Sequence, residues 1–136
     1  MKLCIMIGLI LTTAIGATSA LLAETPKPEH EIIVYYFHRT ARCTTCLNME
    51  AWTEKIVETS NGALVMKSIN LDRPEHHHFI KDFDLDFGAV VVAEQMGDVV
   101  LRWKRLDDIW NHSDDETAFT AYVMATLTQD GFMATR

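Results

Sequence analysis

The hydrophobic positions of the chain follow two patterns, one typical of buried strands and one typical of amphipathic helices. Residues 32–37 are an unbroken run of β-branched and aromatic side chains, which predicts a strand covered on both faces of its sheet. Residues 47–58 instead place Met49, Trp52 and Ile56 on one face among charged neighbours, which predicts an amphipathic helix. The patterned part of the chain therefore opens on a strand followed by a helix.

The middle of the chain repeats this order. A second strand is predicted over residues 63–71. Asp72 then stands at the position of a helix N-cap, and Pro74 and Glu75 follow where a first helical turn favours them. A second helix is therefore expected directly after Asp72.

The last third predicts a hairpin and a helix. Two apolar segments, 89–93 and 99–106, flank a turn signal at Gly97, so they are expected to pair as antiparallel strands. Ser113 and Glu116 form a capping box for a final amphipathic helix. The complete order is β-α-β-α-β-β-α, which predicts an α/β domain with a mixed four-stranded sheet flanked by helices.

The N-terminal segment has the pattern of an export signal. In residues 1–23 a basic residue precedes an apolar stretch, and small residues then precede a polar one, so cleavage after Ala20 or Ala23 is expected. An uncleaved N-terminal anchor is the alternative. Residues 24–30 would form a linker and residues 31–136 the folded domain. A periplasmic or secreted location follows from this prediction.

Composition narrows the function further. The chain has 136 residues, 49% of them hydrophobic and 23% charged, which fits one globular domain with a proper core. A net charge of −7 argues against nucleic acid as a partner. A phosphate-binding glycine motif is missing, so no flavin, nicotinamide or other cofactor is expected. A monomer is predicted.

Cysteine spacing provides the candidate chemistry. Of three cysteines, Cys4 would leave with the signal, and Cys43 and Cys46 remain at the start of the first predicted helix. Two thiols three residues apart there form either a redox couple or half a metal site, with an inert disulfide as the third possibility. The helix N-terminus, together with Arg39 and Arg42, would favour the thiolate.

Residues 31–128 resemble the thioredoxin-like superfamily in element order and in the position of the cysteine pair. Three segments, 34–38, 42–46 and 102–104, also resemble small exported thioredoxin-fold proteins of the type labelled nitrophenyl compound nitroreductase subunit ArsF family. The resemblance implies a thioredoxin fold and a thiol-disulfide oxidoreductase. Its expected partners are protein or small-molecule disulfide or dithiol substrates and a membrane electron donor.

The resemblance also assigns roles to the residues of the motif. Cys43 would be the attacking thiol, and Cys46 the resolving thiol that releases the mixed-disulfide partner. The hydroxyl groups of Thr44 and Thr45 would donate to the Cys43 thiolate and so tune the exchange. Arg42 stands where the family usually has a tryptophan before the first cysteine.

One departure from the family pattern favours an alternative function. The family places a cis-proline opposite the cysteines, where it lines the substrate groove and helps keep metals off the thiols, and here that place falls near Ala89. The alternative is a metal-binding or metal-delivery protein in which Cys43, Cys46 and His38 hold Cu(I) or Zn(II). A redox-inactive adaptor that uses the fold for protein binding is a third hypothesis.

Overall fold

A computed structural model describes residues 29–133 of the protein. The predicted signal peptide, 1–23, lies outside the described residues, as does most of the predicted linker, 24–30. The first strand begins at His30, the last residue of that linker. Within residues 29–133, no helix combines the length and apolar character needed to cross a membrane.

The predicted order of strands and helices is confirmed. The four strands and three helices have the following bounds: β1 His30–His38, α1 Thr44–Glu58, β2 Val65–Asn70, α2 His78–Asp82, β3 Ala89–Met96, β4 Val99–Arg105 and α3 Glu116–Gln129. Two short 3₁₀ helices, Pro74–His76 before α2 and Asp107–His112 before α3, were not predicted.

The sheet has the strand order β2-β1-β3-β4. Strand β1 is parallel to β2 and antiparallel to β3, and β3 is in turn antiparallel to β4. Helices α1 and α3 pack on one face of this mixed sheet, while α2 lies on the other. This is the thioredoxin fold that the sequence resemblance predicted, with helices covering both faces of a central sheet.

Burial of β1 on both faces positions the strand at the centre of the fold. Val34 and Tyr36 point into the core formed with α1 and α3, which includes Phe119. Tyr35 and Phe37 point the opposite way, toward the core under α2. The alternation follows from the two-residue period of a strand, and both faces are apolar because helices cover both.

The predicted cap of the second helix is wrong. Helix α2 has only five residues and no side-chain cap. The Asp72 carboxylate instead accepts hydrogen bonds from the Arg39 guanidinium, at 2.9 Å, and from the backbone N–H of Thr40, at 2.7 Å. The Asp72 carboxylate therefore binds residues of the loop after β1 and does not cap the helix, contrary to the prediction from the local sequence pattern.

The predicted capping box before α3 is wrong as well. Asp115 is the N-cap, and its carboxylate accepts a hydrogen bond from the Ala118 backbone N–H at 3.0 Å. The Ser113 hydroxyl instead donates to the carbonyl of Trp110, at 2.9 Å, and so belongs to the preceding 3₁₀ helix. Since Asp caps a helix as well as Ser does, the start of α3 moves by two residues without losing its cap.

Candidate functional site

The two cysteines form a disulfide where the chain passes from β1 to α1. Their Cα atoms lie 5.1 Å apart, within the range that a disulfide spans without distorting the backbone. Cys43 is exposed and Cys46 is half-buried. The exposed sulfur is therefore the one that another molecule can reach.

Cys43 is also the N-cap of α1, which starts three residues earlier than predicted. Its backbone is extended, with φ −88° and ψ 161°, and its Sγ accepts a hydrogen bond from the Cys46 backbone N–H at 3.1 Å. A sulfur at this position faces unpaired N–H groups and the positive end of the helix dipole. After reduction, the same arrangement would favour the thiolate of Cys43.

Tyr36 fastens the cysteine motif to the sheet. Its hydroxyl donates a hydrogen bond to the carbonyl oxygen of Cys46 at 2.7 Å. Burial, the largest cause, and the nearby carboxylate of Glu50 together raise the pKa of Tyr36 to about 12, against the opposing effect of Arg42. The phenol therefore stays protonated at neutral pH and remains a donor.

The positive charge predicted near the thiols is largely compensated. The Arg42 guanidinium forms an ion pair with Glu50, and the Arg39 guanidinium forms one with Asp72. The hydrogen bonds from the Thr40 backbone and from Arg39 lower the pKa of Asp72. Sequence reasoning missed Glu50, although its position one helical turn after Cys46 could have drawn attention to it.

The remaining motif residues surround the disulfide. Thr44 is exposed at the first position of α1, and Thr45 is half-buried. Across the described residues, the hydrogen bond that reaches the Cys43 sulfur comes from the Cys46 amide rather than from either hydroxyl. The tuning roles of Thr44 and Thr45 stay predictions.

His38 ends β1 beside the cysteine motif. Its Nδ1 lies 3.0 Å from the Arg39 carbonyl oxygen, and its ring stacks at 6.4 Å from the ring of Tyr36. Between residues 29 and 133, no three side chains of the types His, Cys, Asp and Glu are placed to share an ion, so His38 does not complete a three-ligand set with the cysteines. The metal alternative is left with two thiolates and would need ligands from elsewhere.

A groove of about 210 Å³ opens beside Cys46. Its lining includes Arg42 and His38, and also Phe87 and Trp110, whose ring centroids lie 5.8 Å apart. Phe87 is 58% exposed, so its ring is accessible to a molecule that enters the groove. Sequence analysis missed this aromatic pair because Phe87 lies in the loop before β3 and Trp110 in the 3₁₀ helix before α3, far apart in the sequence.

Gly88 and Ala89 occupy the place where the family has its cis-proline. Ala89 is buried as the first residue of β3, and every peptide bond in the described chain is trans. A Cβ atom on Gly88 would lie 3.1 Å from the carbonyl oxygen of Phe37. The backbone thus packs directly on the end of β1, and the groove wall above it is formed by Phe87 and Trp110.

Solved structures of thioredoxins resemble this fold at low sequence identity. Similar structures include the germline-specific thioredoxin Deadhead of Drosophila melanogaster, which is 21% identical over 72% of this chain and 82% of its own, with a TM-score of 0.49. A malarial protein is 15% identical over 72% and 99% of the two chains, with a TM-score of 0.46. Thioredoxin-2 of the malaria parasite is 17% identical over 56% and 70%, with a TM-score of 0.43.

At these identities and scores the likeness carries no functional argument, and the fold assignment rests on the strand order described above. No protein-family model matches the chain, and no curated protein is detectably similar to it.

Replacing Tyr36 with Phe removes the hydrogen bond to the Cys46 carbonyl, so we expect the free energy of unfolding to fall by about 1 kcal/mol at pH 8. The effect depends on pH, because a pKa raised in the folded state stabilises the fold below the unfolded pKa and loses that contribution as pH rises toward 12. Between pH 8 and 11 the wild type should therefore lose roughly 1 kcal/mol more than the variant. Urea denaturation of both proteins at the two pH values measures this difference, and an equal loss in both would contradict it.

Proposed function

We propose that the protein is an exported thiol-disulfide oxidoreductase that works through Cys43 and Cys46. The observation that supports this most directly is the exposed Cys43 sulfur at the N-cap of α1, where a backbone N–H already points at it. An inert structural disulfide would be expected to close a long loop and to be covered, whereas this one closes a very short loop at the surface.

The reaction is a two-electron exchange between dithiol and disulfide. In the reductive direction, the Cys43 thiolate attacks one sulfur of a substrate disulfide, forms a mixed disulfide and releases the other substrate sulfur as a thiolate, which takes a proton. The Cys46 thiol then loses its proton and attacks the Cys43 sulfur, which closes the intramolecular disulfide and releases the second substrate thiol. The protein is oxidised by two electrons, and the substrate disulfide is reduced to two thiols.

The groove beside Cys46 favours a polypeptide substrate. Exposed Phe87 and half-buried Trp110 would hold a bulky apolar side chain next to Cys46. The charge of Arg42, which also lines the groove, is compensated by Glu50. Electrons would be exchanged with a membrane partner, as the family resemblance implies. The narrower resemblance to the ArsF type stays a prediction about family membership and adds no substrate.

A redox titration tests the central step. In a Cys4→Ser background, where Cys43 and Cys46 are the remaining thiols, we expect a reversible two-electron transition between about −120 and −270 mV in glutathione buffers. Free thiols are counted by alkylation and mass, and bound metal is measured on the same sample. A protein that never forms the disulfide under oxidising conditions and retains Cu(I) or Zn(II) would establish the metal alternative instead.

The two cysteines should differ in their single variants. Cys46→Ser leaves the attacking thiol without its resolving partner, so it should accumulate a mixed disulfide with a disulfide-bonded peptide. Cys43→Ser should form none and should lose turnover, because the remaining sulfur is half-buried. Non-reducing gels and mass spectrometry distinguish the two, and equal, mild effects of both substitutions would argue against the assignment.

The aromatic wall can be tested without touching the thiols. Phe87→Ala should lower kcat/KM at least threefold for a peptide disulfide flanked by leucine or phenylalanine, with an unchanged reduction potential, because the side chain is exposed and serves binding rather than the fold. Leu101→Ala on β4 removes another exposed apolar side chain and serves as the matched control. A similar loss in both variants would show that the effect is not specific to the groove.

Export can be tested by secretion in a bacterial host. Residues 1–23 should direct the chain across the inner membrane, where an oxidising compartment allows the disulfide to persist. The mass of the exported protein should match cleavage after Ala20 or Ala23. A full-length chain confined to the cytosol, with both thiols reduced, would contradict the exported part of the proposal.

A further inference from the structure

Arg42 and Glu50 flank Cys46, the less exposed cysteine of the pair, along the chain. Arg42 lies four residues before Cys46 and Glu50 four residues after it, so Glu50 projects from α1 one turn beyond Cys46 on the same face. The ion pair between their side chains therefore spans the first turns of the helix that carries Cys46, and Arg42 lines the same groove as Cys46. Both side chains are mostly buried, with 23% and 20% of their surfaces exposed.

A hydrogen bond from strand β2 fixes the position of the ion pair. The second carboxylate oxygen of Glu50 accepts a hydrogen bond from the Ser68 hydroxyl on β2. The Nε atom of Arg42 is buried and has no hydrogen-bond partner in the described part of the chain, so one donor of this guanidinium is left without compensation. Leaving a buried charged donor unsatisfied is costly, which makes a role in stability alone a poor explanation for Arg42.

The charges of Arg42 and Glu50 have opposite effects on the stability of a cysteine thiolate. A positive charge close to the thiols favours the thiolate and so the reduced form, whereas a carboxylate opposes it. Screening by water is weaker at partly buried positions, so each charge acts strongly when its partner is removed. While the ion pair is intact, the two effects largely cancel.

We propose that Glu50 and Arg42 set the reduction potential of the cysteine pair, with Glu50 restraining the positive charge that precedes Cys43. This rests on the proposed oxidoreductase function and assigns positioning roles to two residues that need not touch the substrate. Glu50 keeps the dithiol easier to oxidise, and Arg42 keeps the disulfide easier to reduce. The other titratable side chains that line the groove, Tyr36, His38 and Arg39, are the same in every variant below.

The experiment is a double-mutant cycle on the equilibrium with glutathione, in which the dithiol passes two electrons and two protons to glutathione disulfide and yields two molecules of glutathione. Glu50→Gln leaves Arg42 uncompensated, so the equilibrium constant for oxidation of the protein should fall about tenfold, which corresponds to a potential about 30 mV less negative. Arg42→Gln should raise the constant about tenfold. The double variant should return to within about twofold of the wild type, because both charges are then absent.

Two controls separate charge from lost packing. Glu50→Asp shortens the side chain but keeps the charge, so the equilibrium constant should stay within about threefold of the wild type even if the fold is weakened. Lys55 lies on α1, as Glu50 does, and forms a solvent-exposed ion pair with Glu116 of α3. Glu116→Gln removes that partner and should leave the equilibrium constant unchanged. In a Cys46→Ser background, the pH profile of Cys43 alkylation should move to lower pH with Glu50→Gln and to higher pH with Arg42→Gln.

The outcomes distinguish this inference from the function on which it rests. Shifts of the same sign in both single variants, or a double variant that fails to return toward the wild type, would overturn the role of the ion pair while leaving a redox-active protein. If the wild type itself shows no reversible transition, the proposed function fails first.

Discussion

The burial of β1 on both faces is the constraint on which the rest of the structure depends. Its side chains enter two separate cores, one under α1 and α3 and one under α2, so the strand cannot slip by one residue without exchanging them. This fixes where the strand ends, at His38, and therefore where the chain turns into α1. Tyr36, two residues before the end of β1, then holds the carbonyl of Cys46 in place through a hydrogen bond from its hydroxyl.

Charge around the site is more balanced than the residue types suggest. Both arginines that flank the cysteine motif, Arg39 and Arg42, are neutralised by carboxylates that come from distant positions in the chain or from the next turn of the helix. The unpaired N–H groups at the start of α1 are then the main uncompensated positive feature facing Cys43. While both ion pairs are intact, backbone geometry would therefore favour the thiolate of Cys43, and loss of either carboxylate would add the charge of an uncompensated arginine.

The groove differs from the family pattern in how its wall is built. Where the family has a cis-proline, Gly88 brings the backbone against the carbonyl of Phe37, and a Cβ atom at this position would make a tight contact of 3.1 Å with that oxygen. The apolar surface that a substrate would meet comes instead from Phe87 and Trp110, one on the loop before β3 and one on the 3₁₀ helix before α3. Recognition at this site would thus depend on one loop and one 3₁₀ helix that the fold brings together.

The sequence by itself determined the order of strands and helices and the position of the cysteine pair, because periodicity and the start of a helix are local properties of the chain. Helix caps were less predictable: Asp72 and Ser113 both found other partners once neighbouring segments approached. Only the tertiary structure decided that Glu50 compensates Arg42 and that Phe87 meets Trp110. Such contacts depend on which side chains the packed sheet and helices bring together, and a pattern along one segment contains no information about the side chains of another.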